Sequence, residues 1–258
     1  MLLRRPVKPE VLLTHAGEFW ALENRFVRFT LAAHQGGNIQ AAWLKPGNVQ
    51  VLAFRLHGCD VSVCIGDARY SAVADPKANV MSLGQSSAKA AVRVQSALVR
   101  VSGEGGPETC ARLDRTYLLA ADSPDICVDT RLTFSSLQPE WHATEARLCD
   151  LEGNEKELTH FAFKDAAQQP VTGPIAEGVC GETSSLGEPR YDLLGPRAGV
   201  SVMFAGLRDL VRFCVEARGP NKGTVFHAHW LHNAERLVKP GDSLHGSYIL
   251  RLHEQQGR

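Results

Sequence analysis

The stretch Phe226-His227-Ala228-His229-Trp230-Leu231-His232 is the densest set of chemically capable side chains in the chain. On an extended strand successive side chains point to opposite faces. His227 and His229 then share one face, and Phe226, Ala228 and Trp230 share the other. The apolar set belongs to a core, which leaves the two imidazoles facing solvent or a cleft. Three readings stay open for them. Neutral imidazoles at this spacing chelate a transition metal if a third ligand joins, and Glu235, His232 or His245 could supply it. They can instead hydrogen-bond a sugar, with catalytic roles for His227 and His229, or they are plain surface histidines. Histidines titrate near neutrality, so either functional role predicts pH-sensitive binding.

Other candidates lie elsewhere in the sequence. Sugars stack their C–H faces on aromatic rings, and Trp20, Trp43, Trp141 and Trp230 are the platforms available, each equally readable as core. Trp141-His142 begins a strand beside Pro139-Glu140, a position suited to a sheet rim and to substrate contact. Arg112, Asp114, Asp129 and Arg131 form a charged strand face. Such a face is ordinarily a solvated exterior with cross-strand ion pairs. Lining a concave sheet, Arg131 and its neighbours would bond sugar hydroxyls or a uronate. The run from Gly223 through His227, His229 and Glu235 to Gly241 touches the metal motif of cupins, with spacings that depart from it. A nucleophile elbow, a Walker A loop, a dinucleotide fingerprint and H-E-x-x-H are all missing.

The elements that must position these residues read as strands. Ile126, Val128, Leu132 and Phe134 alternate with Asp129, Arg131 and Thr133, the period of a half-buried strand. The strand-like 111–119 precedes it, and Ala121-Asp122-Ser123-Pro124-Asp125 between them is turn chemistry. Further strands are expected at 91–101, 141–149, 158–163, 200–204, 210–215, 224–231 and 244–252. Gly- and Pro-bearing turns at 103–107, 219–223 and 239–242 separate many of them. Residues 15–31 fit a helix or a strand pair, and two strands are preferred. The predicted fold is all-β, a large set of antiparallel sheets in one domain over 1–258. Residues 1–14 read as an N-terminal extension. The Gly- and Pro-rich 168–196 reads as a long loop excursion.

At 258 residues, 44% hydrophobic and 22% charged, the composition is that of a globular chain. Lys plus Arg balances Asp plus Glu at 28 each. That balance, with no basic run beyond Arg4-Arg5, argues against a nucleic-acid partner. The absence of a long apolar run argues against a membrane one. The seven cysteines, Cys59, Cys64, Cys110, Cys127, Cys149, Cys180 and Cys214, are odd in number and include no C-x-x-C. They read as reduced thiols in a cytoplasmic protein. The sequence leaves the oligomeric state open.

Three separated stretches resemble one superfamily. Leu22-Glu23-Asn24 followed by Gly36-Gly37-Asn38-Ile39 is similar to the opening of galactose-mutarotase-like (aldose 1-epimerase-like) domains. Tyr117–Val128, with its Asp122-Ser123-Pro124 turn, resembles their mid-domain hairpin. Leu237-Val238-Lys239-Pro240-Gly241-Asp242-Ser243-Leu244 resembles the turn before their closing strand. The resemblance implies a β-supersandwich with a broad concave sheet, a carbohydrate ligand and no cofactor. It implies either an isomerase acting on a sugar anomer or a non-catalytic glycan-recognition or structural module. By the same resemblance His160 is the counterpart of a catalytic histidine, although the family's flanking Asn and Tyr are missing. Arg190-Tyr191-Asp192 corresponds to a sugar-hydroxyl-binding site. A late catalytic Glu in matching context is not found, Glu235 being the nearest acid.

Overall fold

Alternating burial runs through the long strands, and that alternation builds the architecture. The structure, a computed structural model, describes residues 10–53, 60–104, 108–135, 141–154, 156–205, 210–217 and 224–255. The strands are β1 (Leu12–Ala16), β2 (Phe19–Glu23), β3 (Val27–Ala32), β4 (Asn38–Leu44), β5 (Val49–Ala53), β6 (Asp60–Ile65) and β7 (Ala68–Ser71). Then come β8 (Asn79–Gln85), β9 (Lys89–Ser102), β10 (Thr109–Ala120), β11 (Asp125–Phe134), β12 (Trp141–Gly153), β13 (His160–Lys164) and β14 (Pro170–Pro174). The last are β15 (Val179–Glu182), β16 (Arg190–Leu194), β17 (Ala198–Phe204), β18 (Arg212–Ala217), β19 (Thr224–Leu231), β20 (Arg236–Val238) and β21 (Ser243–Glu254).

Two antiparallel series emerge from the pairings. One runs β8–β9–β10–β11–β21–β17–β16–β13–β14. The other runs β15–β18–β19–β12–β6–β7. A ribbon β1–β2–β3–β4–β5 joins the second series at Gly153, and β7 pairs with β9 to connect the two. The apolar faces meet as one core. Leu113, Tyr117 and Leu119 of β10 and Ile126, Val128 and Leu132 of β11 are buried in it with Phe226, Ala228 and Trp230 of β19. This is a large antiparallel all-β fold, as the alternation required.

The three stretches behind the resemblance are contact points of the fold. The Asn24 side-chain amide donates to the carbonyls of Ala120 and Ser123, both at 2.7 Å, and its Oδ1 accepts the Phe26 and Val27 amides. The first stretch thus grips the turn of the second. Gly241 and Asp242 exchange backbone hydrogen bonds with Phe134, which ties the third to the end of β11. Gly36 and Gly37 sit at φ +67° and +64°, and a Cβ on Gly36 would lie 2.1 Å from the Ala72 carbonyl oxygen. Only glycine fits there.

Some expectations fail. The 168–196 stretch carries β14, β15 and β16, with short 3-10 turns at 175–177 and 183–185 between them. Its prolines and glycines do not prevent pairing, because Pro170 and Pro174 lie at the two ends of β14, which pairs only with β13 among the described residues. Within the expected extension 1–14, Leu12 onward already pairs with β2, and 1–9 lie outside the described residues. The expected pair of strands in 15–31 is present as β2 and β3. Cys180 and Cys214 form a disulfide, against the expectation of reduced thiols throughout. They are direct partners in the β15–β18 register, which brings the two sulfurs together. That bridge removes the ground on which a cytoplasmic setting was expected. Cys59 and the turn residues 105–107 and 218–223 lie outside the described residues. No described helix is long and apolar enough to cross a membrane.

Candidate functional site

On β19 the predicted alternation holds. Phe226 packs against Tyr191 and Phe204 in the core, while His227 and His229 point to the opposite face of the sheet. That face is not open surface, since each imidazole is only 3% exposed. The neighbouring strand explains why. Arg147 of β12 lies opposite His229, and Asp150 lies opposite His227. Three steps along β12 therefore match two along β19, a bulge that turns Arg147 and Asp150 toward the same two histidines. In a regular strand residues three apart would face opposite ways.

Arg147 organises this face. It donates through Nε to Glu145 and through one terminal nitrogen to Asp150 (3.3 Å), and the same nitrogen lies 3.1 Å from Nδ1 of His227. Burial opposes its charge, yet the Glu145 and Asp150 carboxylates hold its pKa above the ordinary value. Burial likewise pushes Glu145 up. The Arg147 charge and hydrogen bond, with lesser help from His229 and His232, outweigh it and keep Glu145 below the usual carboxylate range. Beyond β12, Asp60 of β6 is the partner of Asp150. Ser71 Oγ donates to it at 2.7 Å and the Val73 amide at 3.2 Å. Burial is the main force on Asp60, assisted by Asp150, and its pKa is pushed up to about 6.

His229 differs from its neighbours. Among the described residues neither ring nitrogen has a hydrogen-bond partner, and Glu145 Oε1 stands 3.9 Å from Nδ1. Burial, then the Arg147 charge, lowers its pKa to about 3, so it is neutral at physiological pH. The titration near neutrality expected for the pair does not apply to it. His232 stacks edge-on against His229 at 5.1 Å and accepts from Arg212 at Nε2. Burial and then the Arg212 charge lower its pKa as well. Beside this row a groove of about 710 Å³ is lined by Cys180, Glu182, Thr183, Arg212, His232 and Asn233 among others.

The remaining predicted site residues are not gathered here. His160 begins β13, exposed, with Thr159 Oγ1 2.9 Å from its Nδ1. Arg190 and Asp192 of β16 pair with each other at 2.9 Å and line a separate groove of about 310 Å³. Trp141, half-buried, and His142, exposed, stand at the far end of β12 against β20. Pro139 and Glu140 beside them lie outside the described residues. Arg131 is exposed on β11 between Asp114 of β10 and His245 of β21, in the solvated-exterior arrangement. Glu235 is exposed in the connection between β19 and β20. Among the described residues no group of three His, Cys, Asp or Glu could hold a metal, so the His227–His229–Glu235 set is not assembled. Glu145, Arg147, Asp150, Asp60 and Arg212 were not singled out from the sequence. Alternation on the 141–149 strand would have flagged Glu145 and Arg147, but Asp150 depends on the bulge.

No family model and no curated protein sequence matches the chain. Solved structures do. A galactose mutarotase-like protein from Clostridium acetobutylicum matches at 10% identity over 96% of this chain and 100% of its own, with a TM-score of 0.55. A galactose mutarotase related enzyme from Lactobacillus acidophilus matches at 10% identity over 91% and 97%, with a TM-score of 0.54. A protein of glycosyl hydrolase family 38 from Enterococcus faecalis matches at 12% identity over 91% of this chain but 30% of its own, with a TM-score of 0.61. The chain likewise spans less than half the length of several other matched structures, among them a TPR-domain containing protein from Parabacteroides distasonis, of which it covers 46%. At these identities the likeness is one of fold, and the fold is that of the galactose-mutarotase-like β-sandwich.

Proposed function

We propose that this chain is a carbohydrate-binding protein whose ligand lies on the polar face shared by β12, β18 and β19. The observation that carries this reading is His229, buried and with no hydrogen-bond partner for either ring nitrogen among the described residues. Leaving a buried polar group unpaired costs about 1–3 kcal/mol. A neutral imidazole offers one donor and one acceptor, which a sugar hydroxyl matches because it both accepts and donates. Around it Glu145 supplies an acceptor and Arg147 and Arg212 supply donors, the mixture that polyhydroxylated ligands need. The fold likeness to mutarotase-related and glycosidase structures supports the same class of ligand without naming the sugar.

A second reading, aldose 1-epimerase-like isomerisation, is favoured by one arrangement on the same face. Opening a sugar ring at the anomeric carbon needs a base for the hydroxyl proton and an acid at the ring oxygen. Glu145 is held below the usual carboxylate range, and His227 lies on the same face with its Nδ1 3.1 Å from the Arg147 nitrogen. These are the base and acid this reading assigns. His229, with its pKa near 3, is too weak a base for that role at neutral pH and serves to bind.

Both readings meet in one experiment. A panel of aldoses and uronic acids is titrated by calorimetry against the wild type and His229→Leu, and anomer exchange is followed by NMR exchange spectroscopy. Binding lost in the variant supports recognition at this face. Faster exchange that Glu145→Gln abolishes adds isomerisation, and binding without acceleration leaves recognition alone. If no sugar binds, both readings fall.

A further inference from the structure

The groove beside the histidines has a wall held by a covalent bond. Cys180, Gly181, Glu182, Thr183 and Ser184, from β15 and the turn after it, supply half of its ten lining residues. Among the described residues β15 pairs only with β18, through four residues from Val179 to Glu182. So short an edge strand is weakly held by its ladder, and the Cys180–Cys214 disulfide fastens it. Cys180 is exposed on the groove side, whereas Cys214 is buried. Cys214 Sγ also receives Nε of Arg212 at 3.3 Å, and Arg212 in turn donates to His232. Arg212 is paired across the ladder with Glu182 on one side and His229 on the other. The bridge therefore touches both the groove wall and the cation beside the candidate ligand site.

The other described thiols do not make this bridge part of a disulfide framework. Among the described residues Cys64, Cys110 and Cys127 form no disulfide, and Cys110 is buried in the core. Small disulfide scaffolds pair their cysteines throughout because their cores are too small to hold them together. This chain has an extensive core, so it does not need that support, and the one bridge among the described residues, exposed at Cys180 beside a groove, fits a switching role.

We propose that Cys180–Cys214 is a reversible thiol–disulfide latch that fixes the β15 wall of the groove and is opened by a dithiol reductant. One thiolate of the dithiol attacks the exposed Cys180 sulfur, the S–S bond breaks and Cys214 leaves as a thiolate that takes up a proton. The second thiol of the reductant then displaces Cys180 from the mixed disulfide, closing the reductant to its own disulfide. Two electrons and two protons pass to the protein, and the dithiol is oxidised by the same amount. Freed, β15 keeps only its short ladder, and the Cys214 sulfur against which Arg212 Nε rests is no longer tied to it.

What occupies the groove rests on the carbohydrate reading, but the latch does not, and the experiment separates them. The whole chain is equilibrated in buffers of graded reduced-to-oxidised dithiothreitol ratio, quenched by alkylation and read by peptide mass spectrometry. The pair should titrate reversibly as one two-electron step while far-ultraviolet circular dichroism stays constant. Hydrogen exchange at 179–185 should rise at least tenfold on reduction, with β12 and β19 unchanged. Cys180→Ser, or Cys214→Ser should the first variant not fold, should show the reduced pattern under oxidising conditions. Failure to recover a bridged Cys180–Cys214 peptide overturns the proposal. So does unchanged exchange at 179–185, and so does reduction that unfolds the whole chain at once, which marks a structural staple. Sugar titration of both redox forms is scored separately: binding to neither sinks the carbohydrate reading and leaves the latch to the thiol and exchange data.

Discussion

One terminal nitrogen of Arg147 stands 3.1 Å from Nδ1 of His227 and 3.3 Å from a carboxylate oxygen of Asp150. The same Nδ1 of His227 lies 3.3 Å from the other carboxylate oxygen of Asp150, so guanidinium, imidazole and carboxylate meet in one cluster. Asp150 is 1% exposed, and Glu145 depends on the same guanidinium. A single side chain thus holds two carboxylates and one imidazole in place on a buried face.

Removing Arg147 should therefore be costly. Arg147→Met takes the guanidinium away from the buried Asp150 carboxylate, and breaking such a pair costs about 3–5 kcal/mol. Urea unfolding at neutral pH should show a loss of that order, with Arg147→Lys recovering part of it. An Arg147→Met variant as stable as the wild type would show that the guanidinium does not hold this face together.

His229 should behave in the opposite manner. Among the described residues it has no hydrogen bond to lose, so His229→Leu should leave the free protein as stable as before, or more stable by about 1 kcal/mol, while lowering sugar affinity on the order of tenfold. A substantial loss of stability in this variant would show that the ring is structural.

Two buried groups should shape the acid side of the stability curve with opposite signs. His229 has a folded pKa of about 3, below the unfolded value of about 6.5. The unfolded chain binds more protons there between those values, so this residue costs stability as pH falls from 6.5 toward 3. Asp60 is raised to about 6 from 3.8, so the native state binds more protons between those values. Its contribution is favourable at low pH and is lost as pH rises through 6. The shift corresponds to about 3 kcal/mol. Asp60→Asn, whose amide can still bond Ser71 and Val73, should be more stable than wild type at pH 7.5. The difference should vanish near pH 4, as read by denaturant midpoints across pH. A difference independent of pH would rule out titration of Asp60 as its cause.

Tyr191 is fully buried among Phe161, Phe163, Phe213 and Phe226, and its hydroxyl has no partner among the described residues. Burial alone raises its pKa. Tyr191→Phe keeps the ring contacts and removes the unpaired hydroxyl, so it should be neutral or stabilising by about 1 kcal/mol in thermal or urea unfolding. A loss above 1 kcal/mol would mean that the hydroxyl is hydrogen-bonded in solution.

Much of the fold was legible in the chain because period-2 alternation is local. The 126–134 strand buries Ile126, Val128, Leu132 and Phe134 as its spacing required. The same logic placed His227 and His229 on one face and Phe226, Ala228 and Trp230 on the other. Turn chemistry at Asn24, at Asp122-Ser123-Pro124 and at Pro240-Gly241 was legible for the same reason. That the first of these grips the second through the Asn24 amide could not be read, since the partners are about a hundred residues apart in sequence.

The site itself needed the tertiary structure. Alternation assigns Arg147 and Asp150 to opposite faces, and the bulge in β12 against β19 and β6 overrides it by matching three residues to two. Whether a charged strand face is solvated or enclosed is likewise invisible locally. Arg131 and His227 have similar neighbours in sequence, yet one is exposed on β11 and the other is 3% exposed beside Arg147. The sequence by itself determined which side chains share a strand face, because a strand's geometry repeats every two residues. Which faces meet, which are covered, and therefore which histidine is left buried without a partner were decided only by the packing of strands distant in the chain.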